Sequence, residues 1–469
     1  MSFDIDIAII VVFLTATMAV GLLAGRKVTN IRDYALGNRS FTTSALVATM
    51  VSTTISGSAF YIILSKTYSG GWFLSVAVSG IAFGKLFTAF YLLPKMGEFL
   101  GKTSIAEAMG DMYGNRIRLI VAICGIISPI GSIAVQFKAF GNICQYFFAF
   151  SGDYAIYFAA GLTILYSSFG GLKAVTYTDV LQFFIFGVSV PIVGLIIWNS
   201  AYNQGIDLES ALKVSKFNLA HTLSIDNPEF WSMVLLMLYF VVPCMTPTEF
   251  QRIAAGKNIA QVKKALVISA IVILSIMLAI AWIPFILYQL DSTLDSKNLL
   301  SHIINTYSFT GLKGLLIVGV IAMAMSTADS KINSSSVLFA NDICSMLGIK
   351  SPPLLMSKIA SFAIGGLGIY LAVTGDDLLD IIMFTASFYT AIVGTPWLMA
   401  ILGFRTTALS VYIGMAAGVV SLLAWKIFNI DIKSMVLCMS SNFIFLMGSH
   451  YLLGQKGGWI KKAKLEPKP

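Results

Sequence analysis

Apolar runs of about twenty residues recur from one end of the chain to the other, and no other feature constrains the fold as tightly. Each run is long enough to cross a hydrocarbon core of roughly 30 Å as a helix. A helix also satisfies its own backbone groups, which lipid cannot do. With 57% of the 469 residues hydrophobic and 11% charged, the chain has too little polar surface to clothe soluble domains of that length. Hydropathy places about thirteen spans, near 4–25, 42–66, 72–98, 117–147, 153–173, 176–199, 231–251, 263–290, 312–346, 355–374, 379–403, 407–427 and 431–453. The expected class is an all-α polytopic membrane protein.

A net charge of +9 would suit a nucleic-acid partner, but the positions of the charges exclude it. One set of alternate loops carries Arg26, Lys27, Arg32, Arg39, Lys95, Lys102, Arg116 and Arg118, and later Arg252, Lys257, Lys263, Lys264, Lys350 and the tail lysines. The other holds only Lys66, Lys213, Lys216, Lys297, Lys313, Lys426 and Lys433. By the positive-inside rule the first set is cytoplasmic, so the amino end lies outside and the carboxyl end inside. No linker divides residues 1–455, which read as one membrane domain; the basic tail 456–469 is expected to rest on anionic lipid headgroups.

Several chemistries find no support. Cys124, Cys144, Cys244, Cys344 and Cys438 sit singly, and His221, His302 and His450 lie far apart, which argues against disulfides, zinc and a histidine triad. There is no phosphate loop and no nucleophile elbow, so no enzyme is expected. The first residues, Met1 to Asp6, carry acids and no basic n-region, against a cleaved signal peptide.

Two spans carry their polarity in the middle. Ser52-Thr53-Thr54-Ile55-Ser56-Gly57-Ser58 interrupts the second, and Pro243 and Pro247 flank Cys244-Met245-Thr246 in the seventh. Either hydroxyls bond back to the preceding turn and prolines kink packed helices, or both helices are broken around a cargo site. Their separation by five spans favours the second alternative. Residues 42–199 and 231–403 then form two five-helix halves, each opening with a broken helix, in the pattern of inverted-repeat transporters.

In the ninth span, Ser326 and Ser330 share one helical face, with Met323 and Thr327 on the neighbouring one. Hydroxyls and freed carbonyls suit a dehydrated alkali cation; small-residue packing accounts for them equally well. Asp179 and Asp329 fall within spans, where a carboxylate costs several kcal/mol unless it meets a cation or stays protonated. Both are candidate ion or proton sites, with an interfacial cap (Asp179) and a pairing with Lys331 (Asp329) as the plainer alternatives. Lys85 and Lys138 are expected to snorkel or to pair with acids, and Glu249 to Arg252 read as an ordinary helix end.

At these residues the chain resembles the sodium/solute symporter family, which includes sodium/proline, sodium/galactose and sodium/sialic acid transporters. The resemblance rests on Met325-Ser326-Thr327-Ala328-Asp329-Ser330 with Asn333 and Asp342, on Phe169-Gly170-Gly171-Leu172-Lys173 leading to Thr178-Asp179-Gln182, and on Gln251-Arg252 with Ala254-Ala255 and Lys257. It implies thirteen spans around a five-plus-five inverted-repeat core, the APC/LeuT-like fold, in a bacterial inner membrane. It implies a coupling sodium ion held by carbonyls of Ala48, Val51 and Met323 and by the hydroxyls of Ser326 and Thr327. A second sodium or a proton would fall at Asp179, Asp329 and Ser330; Asp329 stands where members with that second site can carry serine. Proline carriers have an aspartate where Met50 aligns and a Gly-Gln-Pro-His step where this chain has Met245-Thr246-Pro247-Thr248, so proline is not the favoured cargo.

The expected function is sodium-coupled symport of a small organic solute into the cell by alternating access. The solute would sit against Ser52, Thr53, Ser56, Gly57, Pro243, Cys244 and Thr246. The partners expected are that solute, sodium and membrane lipid, with no organic cofactor; the sequence leaves the oligomeric state open, a monomer included. The rivals are a proton-coupled carrier using Asp179 or Asp329, and a membrane sensor module of the kind fused to histidine kinases.

Overall fold

A computed structural model describes residues 4–148, 152–243, 245–375, 378–428 and 434–460. Its framework is helical throughout: α1 (Ile5–Gly25), α2 (Thr43–Thr54), α3 (Gly57–Gly70), α4 (Trp72–Lys95), α5 (Asn115–Gln145), α6 (Tyr154–Asn203), α7 (Phe230–Val241), α8 (Pro247–Ala254), α9 (Ile259–Leu290), α10 (Leu312–Cys344), α11 (Pro353–Thr374), α12 (Phe384–Leu402), α13 (Ala408–Phe428) and α14 (Ser434–Leu452). Among the described residues, ten helices are long and apolar enough to cross a membrane, and eleven if the bent pair α2 and α3 counts as one span. The one sheet described is a pairing of Phe404–Arg405 with Gly458–Trp459.

Burial sorts these helices by role. In its most apolar window α10 is 89% buried, against 28% for α1 and for α14. It is therefore the central post, and those two present most of their surface to the surroundings. Ser326, Thr327, Asp329, Ser330, Asn333 and Asp342 along α10 are all buried. Hydroxyls, amides and carboxylates at this depth must find partners within the protein.

The interruption at Ser52–Ser58 is a true break. α2 ends at Ile55 in extended conformation, with the Ile55 amide donating to Val51 O at 2.9 Å. A new N-cap follows at once, Ser56 Oγ accepting from the Ala59 amide at 3.1 Å, and the two segments meet at 56°. The second interruption behaves likewise. α7 stops at Val242, Met245 adopts φ +42°, and α8 restarts with Thr246 capping the Glu249 amide and Pro247 in the first turn.

The spans expected at 153–173 and 176–199 are the two arms of α6, which meet at a kink where Gly171 leaves the helical conformation. Gly171, at φ +57° and ψ −157°, turns the chain within it. A Cβ there would lie 2.5 Å from Tyr34 O, so both the angle and the close approach require glycine. The expected connection is thus a tight elbow at Gly171.

On the side of the molecule carrying the 204–229 connection, that connection folds over the bundle. Phe217 is fully buried, its carbonyl accepts from Trp72 Nε1 at 2.7 Å, and its ring packs edge-on against Trp72 and Phe285. Lys216 Nζ donates to Tyr68 O at 2.9 Å and lies 3.4 Å above the Tyr288 ring.

Candidate functional site

The two interruptions and the middle of α10 come together. Ser326 Oγ donates to Ser52 O at 2.8 Å, so the last turn of α2 is tied to α10 at the point where its helix ends. Thr327 Oγ1 donates to Met323 O at 3.1 Å within α10. Ala48, Val51, Met323, Ser326 and Thr327 are all buried. A fractured helix end thus faces a hydroxyl-bearing helix, with a second link from Thr53 Oγ1 to Ser330 Oγ at 3.4 Å and no fixed charge among the five.

Next to this joint lies a second cluster, and here the helix-end reading of Arg252 is corrected. Arg252 is buried, and its guanidinium faces inward rather than pairing with Glu249 or reaching phosphates. Nε donates to Thr49 Oγ1 at 3.0 Å, NH1 to Thr248 O at 3.1 Å and NH2 to Ser330 Oγ at 2.5 Å, while NH2 stands 3.6 Å from Asp179 Oδ2. Thr49 Oγ1 donates in turn to Asp179 Oδ2 at 2.5 Å. The turn after Pro247 aims Arg252 into the bundle, because α8 presents Phe250, Gln251 and Arg252 to the interior. Asp179 accordingly has a cationic partner that its own neighbourhood in the sequence does not reveal.

Asp329 does not pair with Lys331. Its Oδ2 accepts from Tyr166 OH at 2.6 Å, whereas Lys331 bonds to Ser132 Oγ. Asp179 Oδ1 and Asp329 Oδ1 have no hydrogen-bond partner among the described residues. Of the two lysines expected to snorkel or pair with acids, Lys85 stands 4.0 Å from Glu249, whereas Lys138 donates to a backbone carbonyl, Gly375 O, at 3.3 Å.

A cavity of about 300 Å³ opens beside both clusters. Met50, Thr53 and Thr54 of α2 form one wall; Val242, Pro243, Met245 and Thr246 of the second interruption form another. Lys85, Glu249, Arg252 and Lys331 supply its charges. The Glu249 side chain is 46% exposed, which makes its end of the cavity the mouth.

The expected solute residues divide. Thr53, Pro243 and Thr246 line the cavity. Ser52 does not; its hydroxyl donates to Asp179 O at 3.1 Å. Ser56 is committed to capping α3 and to Ser58, Gly57 faces Ala324 of α10 and Gln136 of α5, and neither lines the cavity. Cys244 lies outside the described residues. Sequence reasoning passed over Lys331, Met50 and Glu249 as wall residues and Arg252 as a buried cation. Only the Pro247 break, which swings α8 inward, hinted at the last.

The family model for the sodium:solute symporter family matches residues 34–418. The chain is similar to the sodium/sialic acid symporter NanT of Aliivibrio fischeri, at 24% identity over 71% of this chain and 68% of the relative. It is also similar to the sodium/sialic acid symporter SiaT of Proteus mirabilis, at 24% identity over 78% of this chain and 76% of the relative. A third relative, the high-affinity proline transporter PutP of Bacillus subtilis, is 21% identical over 87% and 89%. In fold, the chain superposes with a TM-score of 0.83 on a sodium-coupled sialic acid symporter in a substrate-bound outward-open state, at 20% identity over 97% of this chain and 99% of that one. For Mhp1, a nucleobase-cation-symport-1 family transporter, the score is 0.64 at 12% identity, over 92% and 97%. The chain therefore belongs to the sodium:solute symporter family, a multi-pass membrane symporter coupled to sodium and not an enzyme.

Proposed function

We propose that this protein carries a small organic solute into a bacterial cell with sodium by alternating access, the ion binding between the last turns of α2 and the middle of α10. One observation carries the site: Ser326 Oγ reaches Ser52 O at 2.8 Å, at the fracture where α2 gives up its helical bonding. Backbone carbonyls of Ala48, Val51 and Met323, with the hydroxyls of Ser326 and Thr327, would supply an oxygen shell of the kind a dehydrated monovalent cation needs. Binding there would steady the joint and complete the neighbouring cavity, in which Thr53, Pro243 and Thr246 meet the solute.

The ten helices that cross alone, the bent pair α2 and α3, the second arm of α6 beyond Gly171, and α7 joined to α8 support a count of thirteen crossings. Two broken helices opening 42–199 and 231–403 support the five-plus-five repeat. The lysine and arginine distribution favours an external amino end and a cytoplasmic carboxyl end, which would make the Glu249 mouth cytoplasmic. Arg252 supports a single sodium per cycle. Its guanidinium already stands between Asp179 and Ser330, two of the three residues of the second candidate site, and a second cation there would meet like charge.

Replacing Thr327 by Ala removes one ligand and is expected to raise the sodium concentration for half-maximal uptake about tenfold or more, measured in proteoliposomes. An unchanged sodium dependence would refute the site. Uptake that follows an imposed pH gradient and ignores sodium would transfer the coupling role to Asp179 or Asp329.

A further inference from the structure

Resting on the symporter reading, we propose that the solute carries a carboxylate and that the Lys331 ammonium is its anchor on the cavity wall. Three cations, Lys85, Arg252 and Lys331, line the cavity against one acid, Glu249. Two of the three are matched. Lys85 stands 4.0 Å from Glu249, and Arg252 stands 3.6 Å from Asp179. Lys331 has no carboxylate within 4.0 Å among the described residues; its hydrogen bond goes to Ser132 Oγ, a hydroxyl that solvates the charge and does not neutralise it.

The acids that balance the cluster as a whole sit behind the cations. Asp179 is buried beyond Arg252, and Asp329, two residues before Lys331, is turned away onto Tyr166. Neither lines the cavity. A ligand in the cavity therefore meets the ammonium at contact distance and those carboxylates only from farther off, where Coulomb attraction and repulsion no longer cancel. An ammonium at this depth, half-buried on a helix that is otherwise enclosed, is costly, and Glu249, whose charge acts on it, is shared with Lys85 and stands beyond 4.0 Å. A solute carboxylate provides a counter-charge in contact.

The rest of the wall gives the remainder of the solute its character. Apolar surface from Met50, Ile81, Phe240 and Leu266 faces hydroxyls of Thr53 and Thr246. That lining fits a compact amphipathic monoanion, with a carboxylate at the Lys331 end and an apolar or sparsely hydroxylated body. A cation would sit beside two lysines and the Arg252 guanidinium, with Glu249 the one acid in the lining.

The test is a thermal-shift titration of the purified full-length protein in sodium and in potassium, using four acids and their uncharged counterparts. The pairs are butyrate and butyramide, nicotinate and nicotinamide, N-acetylproline and N-acetylprolinamide, and N-acetylneuraminate and its methyl ester. At least one acid is expected to stabilise in sodium, with its uncharged partner weaker by about tenfold, the loss of one charge-assisted bond. Lys331→Gln is expected to weaken that acid by a similar factor, and Lys331→Arg to keep it within about threefold. Stabilisation by no acid, equal stabilisation by acid and amide, or an unaltered acid affinity in Lys331→Gln overturns the proposal. Should Lys331→Gln not fold, the acid and amide comparison on the unsubstituted protein decides. Acid binding that is the same in potassium as in sodium would spare the carboxylate and sink the sodium coupling instead.

Discussion

Arg252 is the residue on which the polar interior turns. Its guanidinium gathers Thr49 of α2, Thr248 of α8 and Ser330 of α10, and stands beside Asp179 of α6, so four helices share one fork of donors. Removing it leaves Asp179 buried without compensation, and Arg252→Ala is expected to lose about 3–5 kcal/mol of stability, read as a fall in the unfolding midpoint. Arg252→Lys should recover little of that loss, because a single ammonium cannot span three divergent acceptors. Sequence chemistry made Asp179 conspicuous as a carboxylate at depth. Its partner was hidden, because periodicity along one helix carries no information about which side chain of a distant helix faces it. Asp329 makes the same point: Lys331 was the obvious partner by proximity in the chain, and the helix turns the two residues apart.

At the scale of elements, the two fractures were legible because their chemistry is local. Ser56 and Thr246 are N-caps, Pro247 sits where a first turn accepts it, and polar residues fill the centre of otherwise apolar runs. The place of the elbow was legible as Gly170-Gly171 near the join of two apolar runs, but its tightness was not, since that depends on Tyr34 packing against Gly171. Gly171→Ala is expected to destabilise by about 1–3 kcal/mol from the backbone angle alone, and by more if Tyr34 cannot retreat. Gly161→Ala on the same helix, where a Cβ would meet nothing within 4 Å, is the matched control and should leave the melting temperature unchanged. A loss in both variants would remove the elbow from the explanation.

Across the whole molecule, the 204–229 connection seals one side through Phe217 and Trp72 while the cavity opens near Glu249 on the other. That asymmetry is the arrangement expected of a carrier exposing its site to one compartment at a time. The charge inventory adds an energetic consequence. A neutral solute moving with one sodium would gain about 2.3 kcal/mol from a 100 mV inward potential, whereas a monoanion moving with one sodium transfers no net charge. Uptake of the stabilising carboxylate into proteoliposomes is thus expected to be indifferent to a potassium diffusion potential set with valinomycin. Acceleration by an inside-negative potential would mean that more than one cation accompanies each anion.

The bent rod of α6 links these scales. Tyr166, before the bend, grips Asp329, while Asp179, beyond it, grips Thr49 and faces Arg252. Only the turn at Gly171 separates the two arms, so a change of angle there would be felt at both carboxylates of the same knot of charges.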